Sequence, residues 1–222
     1  MAAPPPAPWL RQAAQATWRR LGPRHAPEHG QQPLPTGDAR VDGQLAGGLQ
    51  RGALTELFGP SASGKTQACL GACARAALAG EDVVFVDAAR GFSAKRLLAL
   101  MLDTGADQEA ARQAMAERVV VVPAPDVPSL VRTLDALADC DGPIALVVLD
   151  SAASLLAPIV GGSKNYASAL VQQVGLHLRR VASSTGAAVV VTNHAVRVPG
   201  CDNAPALGAA WRDIPRYRVN AR

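Results

Sequence analysis

Apolar and polar positions alternate along the chain in blocks that predict strands followed by helices. The predicted strands are ALTELF (53–58), DVVFVD (82–87), RVVVVP (118–123), PIALVVLDS (143–151), AAVVVTNH (187–194) and, as a last edge strand, RYRV (216–219). Segments at 64–79, 93–102, 127–139 and 165–185 have the spacing and end signals of the helices between them. This alternation is typical of an α/β fold, with a mostly parallel central sheet and helices on both faces.

Two regions break the pattern because they are rich in proline or glycine. Residues 1–36 hold many prolines and alanines together with arginines, so we expect a disordered basic arm followed by one core at residues 37–222. The arm also has the arginine-bearing, acid-poor character of a mitochondrial presequence, which is the alternative to a flexible tail. Residues 196–211 contain two prolines and two glycines, which predicts a loop.

The composition fits one globular domain. The chain has 222 residues, of which 49% are hydrophobic and 18% charged. Its net charge of +4 is concentrated at the ends, since residues 1–30 and 195–222 each carry +3. Such ends either contact phosphate backbones or keep the protein in solution. No apolar run approaches the roughly 20 residues of a membrane-spanning helix, and the four cysteines have neither redox nor zinc spacing.

A glycine-rich segment, GPSASGKT at residues 59–66, lies between the first predicted strand and the first predicted helix. It matches G-x-x-x-x-G-K-[ST] at every fixed position, the pattern of a loop whose backbone N–H groups surround phosphates. The lysine of this pattern reaches the β- and γ-phosphates of a nucleotide, and the threonine hydroxyl binds Mg²⁺. We therefore predict an ATP site formed by Gly59, Pro60, Ser61, Ala62, Ser63, Gly64, Lys65, Thr66 and Gln67.

A second acidic element is expected to complete the metal site. The apolar run ALVVLD ends at Asp150. Ligands of open α/β sheets lie at the carboxyl ends of the strands, and in P-loop proteins an aspartate there holds Mg²⁺. A strand-end aspartate by itself often only caps a turn. In combination with the P-loop it predicts a magnesium site formed by Thr66 and Asp150.

These motifs resemble those of a known family. TELFGPSASGKTQ, VVFVDAARGFSAKRL, ALVVLDSAASLL and VVVTNH, in this order and spacing, are similar to the core of the RecA-type recombinases. VVVTNHAV followed by PALGAAW is most similar to the D-type group of the eukaryotic recombinase paralogs. The resemblance implies a RecA-like P-loop NTPase core, ATP and Mg²⁺ as cofactors, and a location in the nucleus, with the mitochondrion as the alternative.

The resemblance also shows a missing catalytic group. Active members of the family carry a water-positioning glutamate two residues beyond the aspartate that ends the second strand, and Ala89 stands at that position here. We therefore assign no catalytic residue and expect slow hydrolysis by the isolated chain. Asp87 is the alternative carboxylate. At the end of the strand 187–194, His194 replaces the family's glutamine, as in the D-type paralogs; we expect it to sense the γ-phosphate, the alternative being a merely packed residue.

Two loops face DNA in the family, and by position they correspond to residues 157–166 and 195–208. Lys164 and Tyr166 in the first loop and Arg197 in the second supply two cations and one ring that can stack on a base. So few contacts predict weak, salt-dependent binding to single-stranded or branched DNA. Ordinary glycine-containing surface loops are the alternative.

Both ends look short beside the family, so we expect a C-terminally shortened core. The resemblance implies sister recombinase paralogs as partners in a hetero-oligomer, with no membrane involved. The function we expect is an ATP-binding mediator of homologous-recombination repair with weak DNA-dependent ATPase activity. The alternative is an efficient DNA-stimulated ATPase that a partner subunit completes in trans. An unrelated P-loop kinase or transport ATPase is disfavoured, because the chain lacks any acceptor-substrate or lid signature.

Overall fold

The computed structural model describes residues 32–140, 142–160, 164–198 and 201–221, so most of the expected arm lies outside the described residues. The strands are β1 Leu54–Gly59, β2 Asp82–Asp87, β3 Val119–Pro123, β4 Ile144–Asp150, β5 Ala188–Val198, β6 Cys201–Pro205 and β7 Tyr217–Asn220. The helices are α1 Ala39–Gln44, α2 Lys65–Leu78, α3 Ala94–Asp103, α4 Gln108–Arg118, α5 Val127–Ala138, α6 Ala152–Val160 and α7 Lys164–Thr185, with a 3₁₀ turn at Ala209–Trp211.

The sheet confirms the predicted α/β class. Six strands run parallel in the order β3-β2-β4-β5-β1-β7, and β6 pairs antiparallel with the end of β5. Strand β4 is buried at every position, as its unbroken apolar sequence indicated. Strand β1 lies between β5 and β7, so the segment that leads into the glycine-rich loop is paired on both sides.

Helices cover both faces of the sheet. On one face α5, α6 and α7 pack through Leu130, Leu156 and Leu178. On the other, α2, α3 and α4 pack through residues that include Cys69 and Cys73. Burial raises the pKa of both thiols far above its ordinary value, so they remain protonated and act as small apolar packing groups.

The segment before β1 is tied to the core. Leu34 is buried and exchanges two backbone hydrogen bonds of 2.8 Å with Leu49. The Asp42 carboxylate accepts hydrogen bonds from the backbone N–H and hydroxyl of Thr36 at 2.8 and 2.7 Å. The packed body therefore includes residues that the predicted arm boundary at 36 placed outside it.

Residues 196–211 do not form the single loop that the sequence predicted. Strand β5 continues to Val198, and β6 pairs back onto it with Val196 opposite Ala204. Pro205 fits this hairpin because it closes β6, where a missing N–H removes little of the ladder.

Helices α1, α4 and α6 were also missed. The first segment that was expected to face DNA, residues 157–166, is helical in its described part, since α6 ends at Val160 and α7 begins at Lys164. No helix within the described ranges is both long and apolar enough to cross a bilayer.

Gly71 provides a test of how the segment before β1 packs on α2. A Cβ added at Gly71 would lie 2.2 Å from the carbonyl oxygen of Thr36, whereas one added at Gly43 in α1 meets nothing within 4 Å. Gly71→Ala should lower the free energy of unfolding by about 1–3 kcal/mol, because backbone must shift. Gly43→Ala should leave it unchanged or raise it by up to about 1 kcal/mol. Urea unfolding measures both; equal stabilities would contradict the packing described here.

Candidate nucleotide-binding site

The glycine-rich loop has the backbone conformation of an anion cradle. Ala62 and Gly64 adopt positive φ angles of 63° and 90°, and α2 begins immediately afterwards at Lys65. Left-handed residues within such a turn direct successive N–H groups to one side, and the N-terminus of α2 adds a positive dipole end. A positive φ at a non-glycine residue such as Ala62 is uncommon and concentrates at functional sites. The backbone of residues 59–66 therefore has a conformation that suits the binding of phosphate oxygens.

Gly59 begins the loop at a point of close contact. A Cβ there would lie 2.5 Å from the carbonyl oxygen of Ala221 and 2.8 Å from the Ser63 hydroxyl oxygen. Only glycine leaves room for the residue after β7 to pack directly on the loop. The C-terminal strand is thus a structural neighbour of the candidate site.

Lys65 is held over the loop that precedes it. Its ammonium nitrogen donates to the carbonyl oxygens of Gly59 at 2.9 Å and Pro60 at 2.7 Å, and to the Ser63 hydroxyl at 3.3 Å. The side chain is only 9% exposed. Desolvation lowers the pKa of this ammonium, and the nearby Asp150 carboxylate opposes the decrease. The cation is therefore positioned by backbone carbonyls beside the cradle.

The structure brings the two predicted metal ligands together. The Thr66 hydroxyl donates to Asp150 Oδ2 at 2.7 Å, and the Thr192 hydroxyl donates to Asp150 Oδ1. This buried carboxylate and hydroxyl are the hard oxygen ligands that Mg²⁺ prefers. The described residues contain no cluster of three metal-ligating side chains. The donor set thus fits an ion that takes its remaining ligands from phosphates and water.

The loop after β2 lies against Asp150 but supplies no free carboxylate. The N–H groups of Ala88 and Ala89 donate to the Asp150 carbonyl oxygen at 2.8 and 3.0 Å. The Asp87 carboxylate accepts hydrogen bonds from the backbone N–H groups of Gly91 at 2.9 Å and Phe92 at 3.2 Å. Both Asp87 oxygens therefore hold the loop, and Ala89, which stands at the position of the expected glutamate, is exposed and carries no acid.

His194 lies directly beside the start of the loop. It is the parallel partner of Gly59 in the β1–β5 ladder, and its side chain is exposed. Its place in the strand differs from the prediction, because β5 extends four residues beyond it to Val198. Pairing with β6 makes this extension possible, since the Ala206 N–H donates to the His194 carbonyl oxygen at 2.9 Å. His194 is thus within a strand rather than at its end.

The three predicted DNA-binding residues fall in different surroundings. Arg197 is exposed on β5 and, with Ala195 and Asn203, lines a cavity of about 630 Å³ that residues 60–63 of the glycine-rich loop also line. Tyr166 is 67% exposed on α7 rather than in a loop. Lys164 begins α7, and its side chain lies outside the part of the chain that the structure describes.

Gln67, predicted to bind nucleotide, accepts a hydrogen bond from the Arg96 guanidinium.

Sequence reasoning missed a buried carboxylate three residues before the loop. Glu56 in β1 is fully buried and accepts hydrogen bonds from Asn193 Nδ2 at 2.7 Å, from Trp211 Nε1 at 2.9 Å and from the Arg218 guanidinium. We call these four residues the Glu56 network. The available signal was an acid within the otherwise apolar run ALTELF, at a position where burial demands partners.

The parallel sheet, with helices on both faces and a glycine-rich loop between β1 and α2, defines a RecA-like core. The Rad51 family model matches residues 32–213, and the chain belongs to this family. The predicted recombinase family is therefore confirmed, and similarity to proteins named RAD51 homolog 4 confirms the D-type resemblance.

Individual relatives give the same picture. The chain is 37% identical over 199 residues to DNA repair protein RAD51 homolog 4 of Mus musculus, covering 84% of this chain and 59% of that protein. The Bos taurus protein of the same name is 34% identical over 198 residues, covering 84% and 60%. DNA repair and recombination protein RadB of Halobacterium salinarum is 35% identical over 162 residues, covering 72% and 66%. The chain thus spans about three-fifths of the length of its mammalian relatives.

Two buried threonines on neighbouring strands allow a matched test of Asp150. Thr192 donates to Asp150, whereas the hydroxyl of the equally buried Thr55 has no partner among the described residues. Thr192→Val should lower the free energy of unfolding by about 1–3 kcal/mol, since the carboxylate loses a donor. Thr55→Val should be neutral or stabilise by about 1–2 kcal/mol, because it removes an unsatisfied group. Similar effects of the two changes in urea unfolding would show that Thr192 does not support Asp150.

Proposed function

We propose that this protein is an ATP-binding mediator of DNA recombination repair. It hydrolyses ATP slowly, so the bound nucleotide remains intact for a long time. The observation that carries the proposal is the geometry around residues 59–66, where Lys65, Thr66 and Asp150 converge on a phosphate cradle. The role in recombination repair is supported by membership of the Rad51 family and by relatives named for DNA repair and recombination.

Each part of the site has a defined task in binding MgATP. The backbone N–H groups of residues 61–64, which follow Pro60, donate to phosphate oxygens, and Lys65 exchanges its carbonyl partners for the β- and γ-phosphates. Thr66 and, directly or through water, Asp150 hold Mg²⁺, which neutralises phosphate charge when bound. His194 is placed beside Gly59, where it senses whether the γ-phosphate is present.

Hydrolysis is slow in this proposal because no carboxylate of the described loop after β2 is free to orient water. Ala89 offers no carboxylate, and both Asp87 oxygens are engaged by backbone N–H groups of its own loop. Positioning of water in line with the γ-phosphate is what distinguishes hydrolysis from binding in this class of site. Partners then recognise whether ATP is bound, and the function does not depend on its hydrolysis.

The partners we propose are sister recombinase paralogs in a hetero-oligomer and single-stranded or branched DNA in the nucleus, with the mitochondrion as the alternative location. Arg197 supports a weak DNA contact, since it is exposed on the wall of the cavity that the glycine-rich loop also lines. A single described cation there predicts affinity that falls with salt.

A second candidate function is a DNA-stimulated ATPase completed in trans. The supporting observation is that Ala89 is exposed at the edge of the site, so a partner's carboxylate has access to it. Turnover by mixed subunits that disappears when one partner acid is replaced would favour this candidate over the mediator.

The first test is a single-turnover measurement with labelled ATP, Mg²⁺ and single-stranded DNA, in which bound and hydrolysed nucleotide are counted in one sample. We expect ATP to bind and to remain intact. Lys65→Ala should weaken binding about 10- to 100-fold, the loss of charge-assisted contacts worth about 1.5–3 kcal/mol. Rapid formation of ADP would favour the enzyme instead. Retention of affinity in Lys65→Ala would contradict the assignment of the site.

Restoring a carboxylate tests why hydrolysis is slow. Ala89→Glu should raise the single-turnover rate at least about tenfold, since water-positioning groups contribute on the order of 10²–10⁴. Ala110→Glu on α4, which adds the same charge at an exposed site elsewhere, should leave the rate unchanged. An Ala89→Glu protein that binds ATP as before but hydrolyses it no faster would show that Ala89 does not limit the reaction.

A further inference from the structure

The Glu56 network is the most extensive buried polar cluster outside the nucleotide site in the part of the chain that the structure describes. One carboxylate joins three elements that are distant in sequence, because Asn193 belongs to β5, Trp211 to the 3₁₀ turn and Arg218 to β7. Glu56 and Arg218 are direct partners in the β1–β7 ladder. Arg218 also donates to the Arg212 carbonyl oxygen at 2.9 Å, which holds the segment after Trp211 in place.

Each element of the network continues directly into the nucleotide site. Three residues after Glu56, β1 ends at Gly59. Asn193 is followed by His194, the ladder partner of Gly59. Beyond Arg218, Ala221 donates its N–H to the Phe58 carbonyl oxygen at 2.8 Å and packs on Gly59. The network thus fixes the positions of His194 and Ala221 along their strands relative to the start of the loop.

A further contact extends the network to the hairpin. Asn203 in β6 donates to the Asn220 side chain at 3.1 Å, which joins the hairpin to β7. Arg197 and Asn203 line the cavity that the glycine-rich loop also lines. A displacement of β7 relative to β1 therefore also moves the wall of that cavity.

Because Glu56 is a buried carboxylate, the network changes between distinct arrangements and not by gradual displacement. A fully buried carboxylate is strongly destabilised when it loses a donor, so the network is either complete or reorganised. Asn193 depends on Glu56, because its other amide atom, Oδ1, is buried without a partner among the described residues. The orientation of the residue before His194 is therefore set by the Glu56 contact.

We propose that Glu56 is a positioning residue that couples γ-phosphate occupancy at the glycine-rich loop to the β5–β6 hairpin and the C-terminal strand. The inference rests on the proposed nucleotide function and deepens it, since it names how the bound state is transmitted. The γ-phosphate acts on His194 and Gly59, and the shift passes through Asn193 and Glu56 to Trp211 and Arg218. ADP, which lacks that group, leaves the network in its resting arrangement.

Trp211 supplies a direct readout of this coupling. The only other tryptophans of the chain are Trp9 and Trp18, so a Trp9→Phe/Trp18→Phe background makes Trp211 the sole indole. We expect its emission to change when MgATP is added and to change less with MgADP, because the indole N–H donates to Glu56. Affinities for both nucleotides are measured in the same samples with labelled ATP and ADP.

Glu56→Gln tests the carboxylate while preserving side-chain shape. The amide oxygen can still accept from Trp211 and Asn193, but its NH₂ group faces the Arg218 guanidinium, so the network reorganises. We expect ADP affinity to stay within about threefold, ATP preference over ADP to fall about tenfold, and the ATP-specific Trp211 signal to be lost. Thr55→Val, the adjacent buried change on β1, should leave both quantities as in the parent.

The outcomes separate this inference from the proposed function. If the parent protein binds no ATP, both fail. If it binds ATP but Glu56→Gln keeps the parent's ATP preference and Trp211 signal, only the coupling is overturned. An equal loss of ATP and ADP affinity would show a purely structural role and also overturn it. Should Glu56→Gln not fold, Arg218→Gln, which removes the partly exposed partner, must reduce ATP preference selectively or the proposal fails.

Discussion

Two carboxylates buried in the sheet impose the constraint on which the rest of the structure depends. A charge that leaves water must be met by hydrogen-bond donors, and the chain meets Asp150 with hydroxyls from α2 and β5 and Glu56 with donors from β5, the 3₁₀ turn and β7. Because these five donors come from four different elements, a slip in strand order or register would leave a charge unpaired. The same contacts that satisfy the charges therefore align the strand ends that form the nucleotide site.

Sequence reasoning succeeded where the information is local or follows from topology. The residues of the glycine-rich loop are contiguous, and Thr66 was paired with Asp150, 84 positions away, because parallel strands bring their carboxyl ends to one edge. It failed where partners are set by packing. Nothing beside Glu56 in the sequence indicates that Trp211 or Arg218 will meet it. Helix α4 was missed since Ala111 is its sole buried residue, and the hairpin was missed because prolines and glycines mark turns without showing that the flanking residues pair.

In the proposed function, the loop after β2 is the reason that the site would retain nucleotide and still lack rapid turnover. Asp87 is the ladder partner of Asp150 in the pairing of β2 with β4. Its carboxylate is used to close the turn through Gly91 and Phe92. Binding needs the cradle, the cation and the metal ligands, all of which are supplied by β1, α2 and β4. Hydrolysis needs one more carboxylate from a loop that has none free, so the two properties reside in different segments and can be separated.

That separation gives the Glu56 network its importance. In a protein that hydrolyses rapidly, each state of the nucleotide is short-lived, and a signal can follow turnover. In a protein that holds ATP, the bound state must be recognisable from outside the site for as long as it lasts. A buried carboxylate with three donors suits this task because it resists intermediate arrangements. Its partner Arg218 reaches the surface and its link through β7 reaches Asn203 in the hairpin. In the proposed coupling, these are the surfaces at which DNA and a partner subunit would recognise the occupancy of the cradle.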